Sequence, residues 1–532
     1  MTAALQTPCD KAAIRHGPAA APCSPSARRW VLATAILGSS MAFIDGTVVN
    51  VALPAIQNQL HASLHQVQWV VESYALLLGA LLLLGGALGD RFGRRRIFVL
   101  GVAVFGVASV LCGLSGDVHQ LIAARALQGV GAALLVPGSL ALISASFPES
   151  ERGQAIGTWA GFSGITAAVG PVIGGWLIDH YSWAWAFLVN APLAALIVAM
   201  AVLRVPESRD PRAVGQLDWV GSALVTLGLG GIVFAFIEGP ARQWTSPIVI
   251  GALALGAAAM GGFLVWANRR VQQPMLPMHF FRDPVFAGAN ALTLLVYAAL
   301  GGGLFFVPLA LIQVHGLSAT AAGAALLPFI LIMFALSPWA GRLADRVGPR
   351  KPLAIGPMIA AAGFVVLALP STAANYWSGF LPGIVVLGIG MSITVAPLTT
   401  AVMNAAGADA AGVASGINNA VSRVAAVLAI AALGALMAGI FGAVLPGRLE
   451  HHNVPAEVAG LVLEQRGRLA AIELPGGLDV AVREAAQRAI HEAFVSGYRW
   501  VMLASAWLCV SGAALAAVLM GRGEGSRPRE KA

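Results

Sequence analysis

The chain has 532 residues, of which 58% are hydrophobic and only 11% charged, and its mean hydropathy is +0.80. Soluble domains carry about 25% charged residues. A chain this long with so little charge cannot cover its surface against water, so it is solvated largely by lipid. The net charge of +8 is a weak argument for nucleic acid, because cytoplasmic loops of membrane proteins are themselves rich in Arg and Lys.

The segment before Trp30 is polar and Pro-rich, which predicts a disordered tail over 1–29. Arg28 and Arg29 precede an apolar run, as in a signal peptide. That run continues to about Leu53, too long for an h-region, and more runs follow, so it reads as a retained first helix. Apolar stretches of about 20 residues then recur. They predict an all-α polytopic membrane protein with fourteen spans at 30–53, 66–89, 97–115, 119–146, 154–178, 183–203, 217–238, 246–267, 285–312, 320–342, 352–370, 376–402, 412–443 and 498–520. Tyr181, Trp183, Trp185, Trp219, Trp244, Trp377 and Trp500 sit near span ends, where an aromatic belt is expected. With both termini placed inside, the inner loops collect the basic clusters Arg91, Arg94, Arg95 and Arg96, then Arg342, Arg346, Arg350 and Lys351, then Arg522, Arg527, Arg529 and Lys531. The short outer loops carry essentially Arg242 alone, so the bias predicts both termini inside. Only segment 444–497 breaks the bias, and long translocated loops are largely exempt from it.

Ionisable groups inside the first six spans are few, and each costs about 2.5–3.5 kcal/mol at a helix centre on insertion scales. In the first helix stands Asp45, in the second Glu72 and in the fourth Arg125. Counted from the outer ends at 1.5 Å per residue, the three reach similar depths of about 9–12 Å. An acid at this depth, with water access that changes, is the minimum equipment for carrying a proton. Burial raises its pKa and a nearby arginine lowers it. The residues therefore make Asp45 the expected proton carrier and Arg125 its partner, against a static ion pair that only fixes packing. Glu72 reads either as a further proton-coupling acid or as a group near the headgroups beside Trp69 and Tyr74. The fifth helix carries Gly157, Gly161, Gly164, Gly170, Pro171, Gly174 and Gly175. Small residues at these spacings let helices approach closely, and the proline can bend the helix. Arg423 either lines a central cavity or snorkels to the inner face. Asn190 and Tyr297 are further candidate cavity groups, each also readable as an interhelical hydrogen bond. Segments Val454–Ala471 and Val480–Ser496 have helical apolar spacing. They predict two amphipathic helices joined at Pro475-Gly476-Gly477, either capping the outer mouth or lying as an insertion with no part in transport.

No G-x-x-x-x-G-K-[ST] appears, which argues against a nucleotide-driven pump. Cys9, Cys23, Cys112 and Cys509 follow no metal or disulfide spacing, and His451 with His452 is a weak pair, so no metal and no cofactor are expected. The energy source left is an ion gradient or the substrate itself.

Two loops repeat. One reads Gly86-Ala-Leu-Gly-Asp90-Arg91-Phe-Gly93-Arg-Arg95-Arg96 and the other Gly341-Arg-Leu-Ala-Asp345-Arg346-Val-Gly348-Pro-Arg350-Lys351. Every matched position is offset by 345 − 90 = 255 residues. By this motif and spacing the chain resembles the major facilitator superfamily, whose two six-helix halves are related by an axis along the membrane normal. About eight spans separate the two copies where six would be usual. Two extra helices therefore lie between the halves, as in the fourteen-helix branch dominated by drug:proton antiporters. The division implied is a tail at 1–29, a six-helix bundle at 30–203, an inserted pair at 204–283, a second bundle at 284–520 with outer loop 444–497, and a tail at 521–532.

The resemblance extends to Asp45 through Pro54, similar to the branch's first-helix signature. Leu121-Ile-Ala-Ala-Arg125-Ala-Leu-Gln128-Gly129-Val-Gly131 is similar to its fourth-helix signature, which implies proton coupling at Arg125. The fifth-helix glycines with Pro171 resemble the signature of exporters. Trp183-Ala-Trp185 departs from the branch, where an arginine is expected between the tryptophans. The implied function is proton-coupled efflux of small lipophilic or cationic compounds across a bacterial inner membrane. The alternatives are an uptake symporter or facilitator for a metabolite, and a non-transporting membrane sensor or scaffold. The partners expected are a small-molecule substrate and membrane lipid, not nucleic acid. A periplasmic adaptor and an outer-membrane channel are left open.

Overall fold

A computed structural model describes residues 25–209, 217–269, 276, 278–406 and 411–524. The expected N-terminal tail falls almost wholly outside them, as do the last residues of the C-terminal one. Fourteen helices among the described residues are long and apolar enough to cross a membrane. They are α1 Ser26–Gln59, α2 Leu64–Phe92, α3 Arg94–Gly113, α4 Val118–Ser146, α5 Glu151–His180, α6 Trp185–Arg204, α7 Trp219–Arg242, α8 Pro247–Arg269, α9 Pro284–Val314, α10 Ala319–Ala344, α11 Arg350–Leu367, α12 Tyr376–Ala406, α13 Val413–His451 and α14 Val480–Leu519.

Short polar residues set several helix starts. Asp117 accepts from the backbone N–H groups of His119 and Gln120 at 2.8 and 3.0 Å and so begins α4. Asp283 does the same for α9 through Val285 and Phe286, with Pro284 in the first turn, where a missing N–H is harmless. Ser318 caps α10 through Ala321, and Asn375 caps α12 through Ser378. Each such cap is worth about 1 kcal/mol.

The repeat seen in the loops recurs in the packing. In the first half α3 packs on α4 and on α6, and in the second half its counterpart α11 packs on α12 and on α14. Both loop copies turn on a glycine at the same motif position, Gly93 with φ +116° and Gly348 with φ +78°. Other residues rarely adopt that backbone. The side chain of Asp345 lies outside the described residues.

The chain forms two compact units that do not follow the sequence halves. One comprises Met1–Ala52, Ser73–Thr226 and Gly261–Met275, the other Leu53–Glu72, Leu227–Met260 and Leu276–Ala532. Helices α7 and α8, the pair expected to be inserted, are each divided between them. In the second unit α7 meets α8 so closely that a Cβ on Gly231 would lie 2.6 Å from the Ala252 carbonyl oxygen.

Segment 444–497 differs from the expectation of two separate amphipathic helices. Helix α13 runs on to His451 and α14 begins at Val480. The 480–496 stretch is therefore the first half of the last helix, and only Ala456–Glu464 stands alone, followed by a 3-10 turn over Arg466–Ala471. The charges at Arg483, Glu484, Arg488 and Glu492 depress hydropathy without breaking the helix. At 39 and 40 residues, α13 and α14 span about 60 Å, roughly twice a bilayer's hydrocarbon core. Their shared ends are pinned where Arg448 donates to Glu492 at 3.0 Å. The connection folds back on the last turns of α1, where Gln57 donates to the Arg468 carbonyl at 2.9 Å. Gln57 in turn accepts from Gln313 of α9 at 2.9 Å.

Candidate functional site

The first unit holds a sealed polar cluster. Asp45 is 0% exposed on α1, and Arg125 is 1% exposed on α4. Arg125 Nη1 donates to Asp45 Oδ2 at 2.5 Å and to Gln128 Oε1 at 2.6 Å. Gln128 Nε2 donates to Asp45 Oδ1 at 2.8 Å and to Ser109 Oγ on α3 at 2.8 Å. Asn190 on α6 completes the shell, donating to Asp45 Oδ1 at 3.3 Å. The carboxylate thus has donors on both oxygens from two other helices. Burying two charges costs several kcal/mol per ion, which is offset only when geometry and additional hydrogen bonds are good. Here they are.

Aromatic rings hold the guanidinium in place. Its central carbon lies 4.2 Å from the Tyr74 ring centroid and 5.6 Å from that of Phe187. A cation over an aromatic face gains about 2 kcal/mol when desolvated. Helices α1, α2, α4 and α6 therefore place side chains at one ion pair, and α3 reaches it through Ser109 and Gln128.

Helix α5 supplies the sixth wall with small residues. A Cβ on Gly170 would lie 2.7 Å from Thr47 Oγ1, and one on Gly174 would lie 2.3 Å from Val48 Cγ1. Thr47 and Val48 stand two and three residues after Asp45 on α1. Pro171 and Gly175 are buried beside them. The first glycines of the motif behave differently. Nothing within 4 Å would meet a Cβ at Gly161 or Gly164, so they mediate no close approach.

The loop residues sort themselves as follows. Asp90 pairs with Arg94 at 2.8 Å, and Arg91 is exposed. Gly86 makes an ordinary contact with Pro137. Glu207, just past α6, accepts from the backbone N–H groups of Arg95 and Arg96 at 3.0 and 3.2 Å, and so caps α3 from another segment. Arg95 also reaches the Val205 carbonyl at 3.0 Å. A Cβ on Gly93 would collide with the Glu207 carboxyl. In the second copy, Arg346 is exposed and Gly348 has open space around it.

The remaining candidates lie apart. Asn190 belongs to the Asp45 shell. Tyr297 and Arg423 are half-buried on α9 and α13 in the second unit. There Asn418 ties the two helices, donating to Thr293 Oγ1 at 2.7 Å and Asn290 Oδ1 at 3.2 Å. Glu72 on α2 is 0% exposed, and neither of its carboxyl oxygens has a hydrogen-bond partner among the described residues. Gln128 is the member that residue-by-residue reading passed over. Its spacing of three from Arg125 puts both on one face of α4, which was a readable signal. Glu207 left no local signal, because its partners are 112 and 111 residues away. Among the described residues no group of three or more metal-binding side chains occurs.

A family model described as the Major Facilitator Superfamily matches residues 35–430. The chain is 34% identical over 500 residues to a tetracenomycin C resistance and export protein of Streptomyces glaucescens, covering 92% of this chain and 91% of that one. It is 38% identical over 437 residues to a puromycin resistance protein of Streptomyces alboniger, covering 81% and 86%. Among solved structures, a bacterial homologue of the human lysosomal transporter Spinster superposes with a TM-score of 0.64 at 19% identity, over 96% of this chain and 100% of that one. At that identity the likeness speaks to the fold alone.

Proposed function

The chain belongs to the major facilitator superfamily, as a multi-pass efflux transporter of the bacterial inner membrane, and we propose that it exchanges external protons for an internal small molecule through the Asp45–Arg125 pair. The observation that carries this is the buried ion pair itself, with every other helix of its bundle contributing to its walls. Protonating Asp45 removes the charge that holds Arg125. The guanidinium then needs another acceptor, and Gln128 Oε1 already stands at 2.6 Å to keep it. Losing one partner of a buried pair costs about 3–5 kcal/mol, which is ample to bias a rearrangement of α1 against α4. Because Gly170 and Gly174 pack on Thr47 and Val48, a shift of α1 is passed to α5.

The six, two and six division at 30–203, 204–283 and 284–520, with both termini inside, is the topology we assign. It is supported by the loop charges and by the matched packing of α3 and α11. The paired turns at Gly93 and Gly348, with Asp90, Arg91 and Arg346 beside them, are the proposed hinges of alternating access. The substrate class we infer is small and lipophilic or cationic, in keeping with relatives named for resistance to tetracenomycin C and puromycin.

Everted vesicles test the reading. Vesicles acidified inside and given tetracenomycin C should release protons in proportion to the chain present. Asp45→Asn should abolish that release while leaving the amount of protein in the membrane unchanged. Uptake symport predicts no release from wild type, and full coupling in Asp45→Asn would overturn the assignment of the carrier.

A further inference from the structure

Every other polar side chain in the stretch from Gln68 to Tyr74 has a partner. Gln68 donates to the Ile430 carbonyl at 2.9 Å, and the Trp69 indole donates to Glu238 at 3.1 Å. The Ser73 hydroxyl donates to the Ile122 carbonyl at 3.2 Å, and the Tyr74 hydroxyl reaches the Ala42 carbonyl at 3.5 Å. Glu72 is 0% exposed, and neither of its carboxyl oxygens has a hydrogen-bond partner among the described residues.

A polar side chain kept for structure is kept for the bonds it makes, and this one makes none. An acid inside a membrane-spanning helix is costly to insert, up to about 2.5–3.5 kcal/mol at a helix centre, so leucine would serve packing better. An ionised carboxylate stripped of water and of every donor is costlier still than the neutral acid. The group is therefore at home here only with its proton on. Asp45 is the opposite case, a carboxylate held by three donors.

We propose that Glu72 is a second proton carrier, separate from Asp45: while buried it holds its proton as the neutral acid, and it releases that proton only where the transport cycle admits water. The proton binds the carboxylate from external water and leaves to internal water, with no other bond made or broken. Each turnover then moves two protons against one substrate molecule. This rests on the proton-antiport reading above.

The test is a count of protons. Purified protein is reconstituted in liposomes with the membrane potential clamped at zero, and a pH difference of one unit drives the same probe to a steady gradient. One pH unit is worth about 1.36 kcal/mol per proton, a factor of ten. Wild type should reach a gradient of about 100-fold and Glu72→Gln about tenfold. An equal gradient in both, or one of tenfold in wild type, overturns the proposal. Wild type that builds no gradient from the pH difference refutes proton antiport itself, and infrared spectroscopy then decides Glu72 separately. A protonated-carboxyl absorption at neutral pH should persist in Asp45→Asn and vanish in Glu72→Gln. Its absence from Asp45→Asn, a protein in which Glu72 is intact, would also overturn the proposal, even should the glutamine variant fail to assemble.

Discussion

At the scale of single residues, the site divides into a charge and the groups that hold it. Gln128 holds both charges, donating a hydrogen bond to Asp45 and accepting one from Arg125. Gln128→Leu has about the same volume but leaves Asp45 Oδ1 with Asn190 alone and strands Ser109 without its donor. Each buried group so abandoned costs about 1–3 kcal/mol. The expected outcome is a lower unfolding temperature in detergent and slower probe-driven proton release. Gln128→Glu should not rescue release, since it sets a second acid against Asp45. An unchanged rate in the leucine variant would mean that the ion pair does not need this bridge. The charged members were legible because Asp and Arg inside apolar runs are expensive and so conspicuous. The shell was legible only in part: Asn190 stood out as a candidate interhelical hydrogen bond and Gln128 shares a face of α4 with Arg125. Tyr74, Ser109 and Phe187 are ordinary residues in membrane helices, and only the packing of α2, α3 and α6 brings them to Arg125 and Gln128.

At the scale of elements, α5 shows how a glycine motif can hide two roles. Gly164 faces open space, whereas Gly174 lets α5 touch Val48. Gly174→Ala forces its methyl into that contact, and overpacking of this kind costs about 1–3 kcal/mol. Transport in Gly174→Ala should fall by about tenfold or more at equal expression, while Gly164→Ala stays near wild type. Equal effects would mean the motif acts as a flexible segment and not through its contact with α1. The connection between α13 and α14 makes a second prediction. Glu473 accepts from Arg468 at 2.8 Å and pairs with His61 at 3.3 Å. The Arg468 hydrogen bond, ahead of the charges of Arg468 and His61, holds the Glu473 carboxyl below its ordinary value of 4.5. A depressed carboxyl stabilises the folded loop above its unfolded pKa and loses that contribution as pH falls through the folded one. Hydrogen exchange in 465–473 should therefore speed up as pH drops below about 4.5, after correction for intrinsic rates. Glu473→Gln should abolish that step. The cores of these helices were legible from apolar runs of about 20 residues. Their ends were not, because an amphipathic extension such as 480–496 looks like a loop to hydropathy and like a helix to the backbone.

At the scale of the whole molecule, the six, two and six division proposed above leaves α7 and α8 to be accounted for. The structure shows what they hold. In the second unit Glu238 near the end of α7 accepts from the Trp69 indole at 3.1 Å and from Arg242 at 2.7 Å. In the first unit Asp218, just before α7, accepts from the Trp266 indole of α8 at 2.9 Å. Carboxylate–indole bonds thus fasten both ends of α7, and bonds to a charged group contribute about 1.5–3 kcal/mol each. Through Glu238 and Trp69, α7 braces α2. Trp69 is one turn from Glu72, so the brace also fixes the stretch of α2 that carries the unpartnered acid. Excising 217–269 removes two crossings, an even number, so a reporter at the C-terminus should remain on the cytoplasmic side. The same excision takes the acceptor from Trp69 and should lower the unfolding temperature. Glu238→Gln, a gentler cut, keeps an acceptor but loses the charge, and should destabilise less than the excision while leaving topology untouched. A reporter that switched sides after excision would refute the assignment of α7 and α8 as a crossing pair. An excised protein as stable as wild type would mean that the two carboxylate–indole bonds brace nothing.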